Sequence, residues 1–252
     1  MLALDRKSQI VRLVETRGSV RVAELASLFG VTEETIRRDL DQLAREGLLR
    51  RTHGGAVSLR GTGYEAPVLE RSIKNVEAKT RIGARAVQLL EDGDTCILDA
   101  STTALQMARQ FPNLRVTVLT NSIPVAQELV TRDRLTVIGL GGMVRERSLS
   151  FVGPLAERAL RNYHVDKVFL SCKGIDLEHG LTDSNELEVE LKKLMVEAGR
   201  EVIVLADASK IGYVGFSLIC SLDSVHKVVT EEQAPAEFVS GLRERGIEVL
   251  LV

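Results

Sequence analysis

From Cys96 to Val252, short apolar runs alternate with stretches whose apolar residues recur at helical spacing, and this alternation constrains the fold more than any other feature. It predicts strands over 96–99, 116–120, 135–139, 167–172, 201–206, 227–229 and 248–252, and helices over 102–111, 123–131, 154–163, 186–198 and 235–245. Short apolar strands separated by helices indicate an α/β domain, with a mostly parallel sheet covered on both faces. Sheets of this kind bind ligands beyond the carboxyl ends of their strands.

The residues at those predicted ends suit an anion. Asp99-Ala-Ser-Thr-Thr-Ala follows the first strand and opens a helix, so Ser101, Thr102 and Thr103 offer hydroxyls beside free backbone amides, an arrangement fit for phosphate. Ordinary helix capping by Ser101 or Thr102 is the alternative. Thr120-Asn121-Ser122 repeats the pattern after the second strand, and Gly141-Gly142 after the third gives a backbone that a ligand could approach closely. Cys172-Lys173-Gly174 and Asp207-Ala-Ser-Lys210 add lysines at two further ends, each usable as a point charge for phosphate.

The first 60 residues read differently. A helix is expected over 5–17, with Ile10, Leu13 and Val14 on one face. A shorter one follows from Val22, with Val22, Leu25 and Leu28 along one side, and then the turn Phe29-Gly30-Val31. Thr32 is a natural N-cap for a second helix whose Ile36, Leu40 and Leu43 recur at i, i+4 and i+7, with Glu33 and Glu34 in its first turn. Helix, glycine turn and helix make a helix-turn-helix, in which the second helix enters the major groove. A helical hairpin that merely pairs its own charges is the other reading, because Glu33–Arg37 and Glu34–Arg38 have i, i+4 spacing. Gly47 to Val57 reads as a two-stranded wing, with Arg50, Arg51 and His53 placed to meet phosphates or the minor groove. Residues 1–60 carry an excess charge of +3, leaving −5 on the rest of the chain, which supports a nucleic-acid role for this end without establishing one. Gly61, Gly63 and Pro67 give 59–75 the composition of a linker, so the expected organisation is a DNA-binding domain over 1–58, that linker, and the α/β domain over 76–252.

Three scattered cysteines, Cys96, Cys172 and Cys220, imply neither a disulfide framework nor a zinc site, and each reads as a small buried hydrophobe. His53, His164, His179 and His226 fall in unrelated contexts, with no Ser/His/Asp set among them, and neither a cofactor nor a metal is implied. No apolar run approaches the ~20 residues of a membrane span, and the N-terminus lacks a signal-type segment, so a cytoplasmic protein is expected.

Thr35-Ile-Arg-Arg-Asp-Leu, with Arg6 upstream and Arg-Arg-Thr-His-Gly-Gly-Ala from Arg50 downstream, closely resembles the winged helix-turn-helix of the DeoR family of bacterial transcriptional regulators. The resemblance implies that Arg37 and Arg38 contact DNA, that Thr32, Glu34 and Thr35 lie near base edges, and that Asp39 orients an arginine. The second half is also similar to that family in Asp99-Ala-Ser-Thr-Thr, Thr120-Asn-Ser, Gly141-Gly-Met, Gly174-Ile-Asp, Gly180-Leu-Thr-Asp and Ala206-Asp-Ala-Ser-Lys. The family's sensor domain resembles the ribose-5-phosphate isomerase fold and binds phosphorylated sugars. By that similarity Ser101, Thr102, Thr103 and Lys210 contact the phosphate, and Asp99, Asn121 and Asp183 face sugar hydroxyls. Ser122, Gly141, Gly142, Lys173 and Gly174 complete the expected effector set, although Ser171-Cys-Lys departs from the small residues expected before that glycine. Phe169 to Asp176, with Asp183-Ser-Asn, looks most like the fucose-operon branch, which points to a phosphorylated deoxy-sugar. The implied function is regulation of a sugar-catabolism operon, in most members by repression, by a homo-oligomer (dimer or tetramer) on double-stranded operator DNA. The alternative is a phosphosugar isomerase fused to a DNA-binding domain, with Asp99, Asp183 or Glu186 as its base.

Overall fold

The computed structural model describes residues 3–17, 19–52, 54–57 and 65–252. They form two compact units, residues 1–64 and residues 65–252.

The first unit contains α1 (Ala3–Arg17), β1 (Ser19–Arg21), α2 (Val22–Phe29), α3 (Glu33–Arg45), β2 (Arg50–Thr52) and β3 (Gly55–Val57). Its core gathers Ile10, Val14, Val22, Leu25, Ile36, Leu40, Leu43 and Leu49, so the stripes expected on the three helices do meet. Leu28 is an exception: it is 56% exposed on the side of α2 away from that core. Gly30 closes the turn between α2 and α3 in the left-handed region, at φ 63°, which disfavours a side chain. The wing has three strands instead of two, because Ser19–Arg21 pairs antiparallel with β3, which also pairs with β2. Three residues leave too short a run for alternation to reveal that strand.

The second unit begins earlier than the linker reading allows. Residues 65–75, expected to be a tether, include α4 (Val68–Ile73), and this segment is fastened to the unit by polar contacts. The Val68 amide donates to the Arg147 carbonyl at 2.7 Å, and Glu65 pairs with Arg145 at 2.6 Å. Six helical residues with one buried apolar side chain, Val68, carry almost no periodic signal, which is why turn composition dominated the reading.

The chain then runs through α5 (Val76–Val87), β4 (Thr95–Leu98), α6 (Thr102–Arg109), β5 (Val116–Thr120), α7 (Ile123–Leu129), β6 (Leu135–Gly139), β7 (Met143–Arg145), β8 (Ser150–Val152), α8 (Pro154–Leu160) and β9 (Val165–Leu170). After these come β10 (Gly174–Asp176), β11 (Gly180–Asp183), α9 (Glu186–Ala198), β12 (Gly199–Leu205), β13 (Ser217–Cys220), β14 (Lys227–Thr230), α10 (Ala236–Glu244) and β15 (Glu248–Leu251). Seven strands form one sheet in the order β15-β14-β12-β9-β4-β5-β6, and every pairing in it is parallel. Successive residues of a strand enter different cores. Ile97, Val168, Leu170, Val202 and Val204 face one layer, while Cys96, Leu98, Phe169, Ile203 and Leu205 face the other. Two covered faces explain why these strands read as continuous apolar runs without alternation.

The short antiparallel ribbons β7–β8 and β10–β11–β13, and helix α5, are pieces that the sequence reading omits. Cys96 and Cys172 are buried as expected, whereas Cys220, on β13, is half-buried.

Candidate nucleic-acid interface and ligand crevice

In the first unit, Thr32 caps α3 by accepting the Thr35 amide at 3.3 Å, and the two hydroxyls lie 2.9 Å apart. This fixes the start of α3 with Glu33, Glu34, Arg37 and Arg38 on its exposed surface. The i, i+4 pairs are both present: Arg37 to Glu33 at 2.7 Å and Arg38 to Glu34 at 3.2 Å. Arg38 keeps 79% of its side chain exposed, so pairing leaves it free to exchange partners at little cost.

Arg51, an expected DNA contact, has partners within the unit. It pairs with Asp41 of α3 at 2.6 Å and donates to the Gly55 carbonyl, so it ties the wing to the helix. The Arg50 side chain and all of His53 lie outside the described residues. Asp39 does hold an arginine, as the motif implies. Arg6 of α1 donates to it at 2.6 Å, with both side chains about nine-tenths buried.

In the second unit, the strand order places the crevice. The chain starts in the middle of the sheet at β4, builds out through β5 to β6, returns to β9 on the other side of β4, and then builds out to β15. The order reverses between β4 and β9, and doubly wound sheets take ligands at that gap, outside the carboxyl ends. Asp99 and Ser171 stand on either side of it. Asp99 is fully buried and accepts the Ser101 amide at 3.2 Å and the Ser171 amide at 2.9 Å.

Lys192 crosses the same gap from α9. Its ammonium lies 2.7 Å from Asp183, 3.3 Å from Asp99 and 2.7 Å from the Ser171 carbonyl. Burial alone would lower its pKa, but Asp183, Asp99 and Glu188 outweigh that and hold the lysine charged above its ordinary range. Asp183 is correspondingly depressed: burial opposes ionisation, while Lys192 and the Ser184 amide favour it more strongly. One turn earlier on α9, Glu188 accepts from Ser148 at 2.7 Å and Ser150 at 2.5 Å and faces Arg145 at 3.6 Å.

More cations surround this core. Lys210 donates to the Ser171 hydroxyl. Lys79 of α5 donates to the carbonyls of Arg71 and Lys74, each at 2.6 Å, and burial and then the neighbouring Lys210 push its pKa down to about 8. Lys173 lies 5.4 Å from the centre of the Tyr213 ring and is also lowered, chiefly by burial.

The hydroxyl sites divide into two kinds. Ser101 caps α6 by accepting the Ala104 amide at 3.0 Å, and Ser122 caps α7 by accepting the Val125 amide at 3.3 Å, so the capping alternative describes both. Thr103 and Asn121 are different. The Thr103 hydroxyl and the Asn121 side-chain carbonyl are buried with no hydrogen-bond partner, although the Asn121 amide reaches the Phe151 carbonyl at 3.2 Å. Thr102, beside Thr103, is buried in the first turn of α6.

Two glycines also read differently from expectation. A Cβ on Gly142 would sit 2.8 Å from the Val152 carbonyl oxygen, and one on Gly174 would sit 1.9 Å from that of Tyr213. Their close neighbours are thus protein backbone, while Gly141 faces open space.

The sequence reading missed Lys192, Glu188, Lys79, Arg71 and Arg145. A signal existed for two of them: Glu188 and Lys192 fall on the same helical face as Val189, Leu191 and Met195, and charges on a buried stripe must be paired.

A winged helix-turn-helix unit followed by a doubly wound sheet with a buried charge cluster at its reversal point is the architecture of a DNA-binding protein with a second, α/β domain. The DeoR-like helix-turn-helix domain matches residues 6–62 and the DeoR C terminal sensor domain matches residues 74–232. The HTH-type transcriptional regulator YulB of Bacillus subtilis (strain 168) is 46% identical over 252 residues, covering 100% of this chain and 98% of its own. The transcriptional repressor AccR of Agrobacterium fabrum is 34% identical, covering 90% and 89%, and the L-fucose operon activator of Haemophilus influenzae is 35% identical, covering 91% and 92%. Among solved structures, ribose 5-phosphate isomerase A of Methanocaldococcus jannaschii is 19% identical over 55% of each chain, with a TM-score of 0.41. The chain belongs to the DeoR family of transcriptional regulators. Among the described residues, no helix is long and apolar enough to cross a membrane.

Proposed function

We propose that this regulator represses a sugar-catabolism operon, and that a phosphorylated sugar bound at the carboxyl ends of β4, β5, β9 and β12 sets its operator affinity. The observation that carries the effector half of this reading is two of the unsatisfied buried atoms, the Thr103 hydroxyl in the first turn of α6 and the Asn121 carbonyl between β5 and α7, both following strands at the end of the sheet where doubly wound folds take ligands. Buried polar atoms without partners are costly, and a polyhydroxylated ligand supplies both donors and acceptors. The cations Lys79, Lys173 and Lys210 supply attraction for its phosphate. An isomerase reading is disfavoured by the chemistry of two of its three candidate bases. Asp183 is held ionised by Lys192 below the usual carboxylate range, which makes it a weak base, and the oxygens of Asp99 are already engaged by two amides and the same lysine.

Calorimetric titration with a panel of hexose and pentose phosphates tests the effector. Binding by at least one phosphorylated sugar, at least ten-fold tighter than its unphosphorylated form, is expected; silence across the panel refutes the reading.

For DNA, Arg37→Ala with Arg38→Ala is expected to abolish the operator gel shift while changing stability by less than about 0.5 kcal/mol, because the pairs lost are exposed. Residual binding should show a salt dependence shallower by about one unit per phosphate contact removed. Retained affinity in the folded double variant removes α3 from the interface. A palindromic operator further requires at least a dimer, dimer or tetramer being the forms proposed, and light scattering of the DNA-free protein measures this.

A further inference from the structure

The ligand-site side chains described above lie on the sheet's loops and on α5, α6, α9 and β7; the segment 65–74 touches two of them, Lys79 and Arg145, and it directly follows the DNA-binding unit in the chain. Its attachment is mostly polar. Glu65 pairs with Arg145 at 2.6 Å and receives Arg147 on its carbonyl at 2.6 Å, while Lys79 clasps the carbonyls of Arg71 and Lys74. Of its apolar residues Val68 is buried, whereas Leu69 and Ile73 are 73% and 78% exposed. A segment held this way has little hydrophobic energy fixing its position, so charges decide where it sits.

Arg71 is the residue on it that looks inward. Its Nε is buried without a hydrogen-bond partner, and its terminal nitrogen reaches Glu65 only at 3.4 Å. Lys79 bonds its carbonyl at 2.6 Å, which sets this residue beside one of the cations described above, and its positive charge also bears on Lys173 and Asp183. Helix α4, which carries it, packs against α6, whose first turn holds the unpartnered Thr103 hydroxyl. The Arg71 Nε is thus a buried, unpartnered donor on this segment that a ligand can engage. An arginine fork can satisfy a phosphoryl group with two parallel bonds, which its single long contact to Glu65 does not match.

We propose that Arg71 binds the phosphoryl group of the effector, so that the ligand is read by the segment joining the DNA-binding unit to the sheet domain. The inference rests on the effector reading above and adds its route of regulation. Phosphate drawing Arg71 inward loosens it from Glu65, and Glu65 remains tied through Arg145 to Glu188 of α9. The segment therefore has two charge arrangements, and a ligand that bonds Arg71 in one of them shifts the population toward it.

Hydrogen exchange of the full-length protein, with inorganic phosphate as the probe, tests this. Phosphate is expected to slow exchange of the amides over 65–74 in the wild type. Arg71→Gln is expected to remove that protection and weaken phosphate binding about ten-fold or more, the scale of a lost charged hydrogen bond. Arg71→Lys, which keeps the charge but lacks the fork, is expected to recover part of the affinity, which a merely structural role for Arg71 does not predict. Thermal unfolding of each variant confirms that the fold is intact. Equal phosphate affinity and equal protection in Arg71→Gln and wild type overturn the inference while leaving the effector reading to the sugar-phosphate panel. Absence of any phosphate response in the wild type overturns it as well, and silence of the panel in addition overturns both.

Discussion

Replacing Lys192 with methionine is expected to destabilise the sheet domain by about 3–5 kcal/mol, the cost of leaving buried carboxylates without their counter-charge. The lysine is buried beside two carboxylates, 2.7 Å from Asp183 and 3.3 Å from Asp99, and it also bonds the Ser171 carbonyl at the sheet's reversal. Methionine fills similar volume, so the loss reports charge and hydrogen bonding more than packing. The pH dependence has a defined sign. Asp183 is held below its ordinary range in the folded protein, so its stabilising contribution is present at neutral pH and is lost as pH falls through that depressed value. Without Lys192 burial is left to raise the Asp183 carboxyl above its ordinary range, so the variant regains stability as that carboxylate protonates, and its deficit relative to wild type should shrink from pH 7 toward pH 4. Urea unfolding at the two values measures it. Adding Asp183→Asn to Lys192→Met should recover part of the loss, because one buried charge is removed with its partner. A single variant within about 1 kcal/mol of wild type at pH 7 shows that the cluster is hydrated and cannot be the dry, charged floor of a ligand crevice.

That cluster also marks where sequence stops being informative. The strands over 116–120 and 135–139, and the helix over 186–198, have the bounds that the sequence predicts, because short apolar runs and helical stripes leave a strong trace in residue order. Asp99, Asp183 and Lys210 were legible as strand-end residues, and the topology brings them around Ser171 and Lys192. Glu188 and Lys192 were legible in principle as charges on an apolar stripe. Arg71, Lys79 and Arg145 were not. Each looks like an ordinary surface cation in its own segment, and its partners lie 80 positions away for Arg145 and Glu65, or on carbonyls that have no sequence identity for Lys79. Composition misled over 65–75 for the same reason, while 59–64 lie outside the described residues. A segment held by ion pairs and backbone bonds has no hydrophobic signature, so it reads as a tether until its partners are known. Ser101 and Ser122 show the converse: a hydroxyl at a helix start predicts a cap as well as it predicts a phosphate site, and both serve as caps.

The same electrostatic argument gives the largest effect expected in the DNA-binding unit. Asp39→Ala leaves Arg6 buried without its carboxylate, at a cost of about 3–5 kcal/mol, and it removes the ion pair that joins α1 to the helix presenting Arg37 and Arg38. This unit is small and its core is built from short elements, so a loss of that size is a large fraction of its stability. Hydrogen exchange of amides in α1 and α3 measures the effect separately from the sheet domain, whose unfolding need not coincide with it. Operator affinity should fall as well, although Asp39 is buried and presents nothing to DNA. The contrast with the Arg37→Ala, Arg38→Ala variant is diagnostic: that protein should keep its protected amides and lose the operator, whereas Asp39→Ala should lose both together. Adding Arg6→Met to Asp39→Ala replaces the whole ion pair with apolar groups, which is often neutral in a buried site, and should restore both protection and DNA binding. If the double replacement restores protection but not operator affinity, Arg6 or Asp39 acts on DNA beyond seating α3; if Asp39→Ala alone leaves the amides of α3 fully protected, the pair does not hold the recognition helix in place.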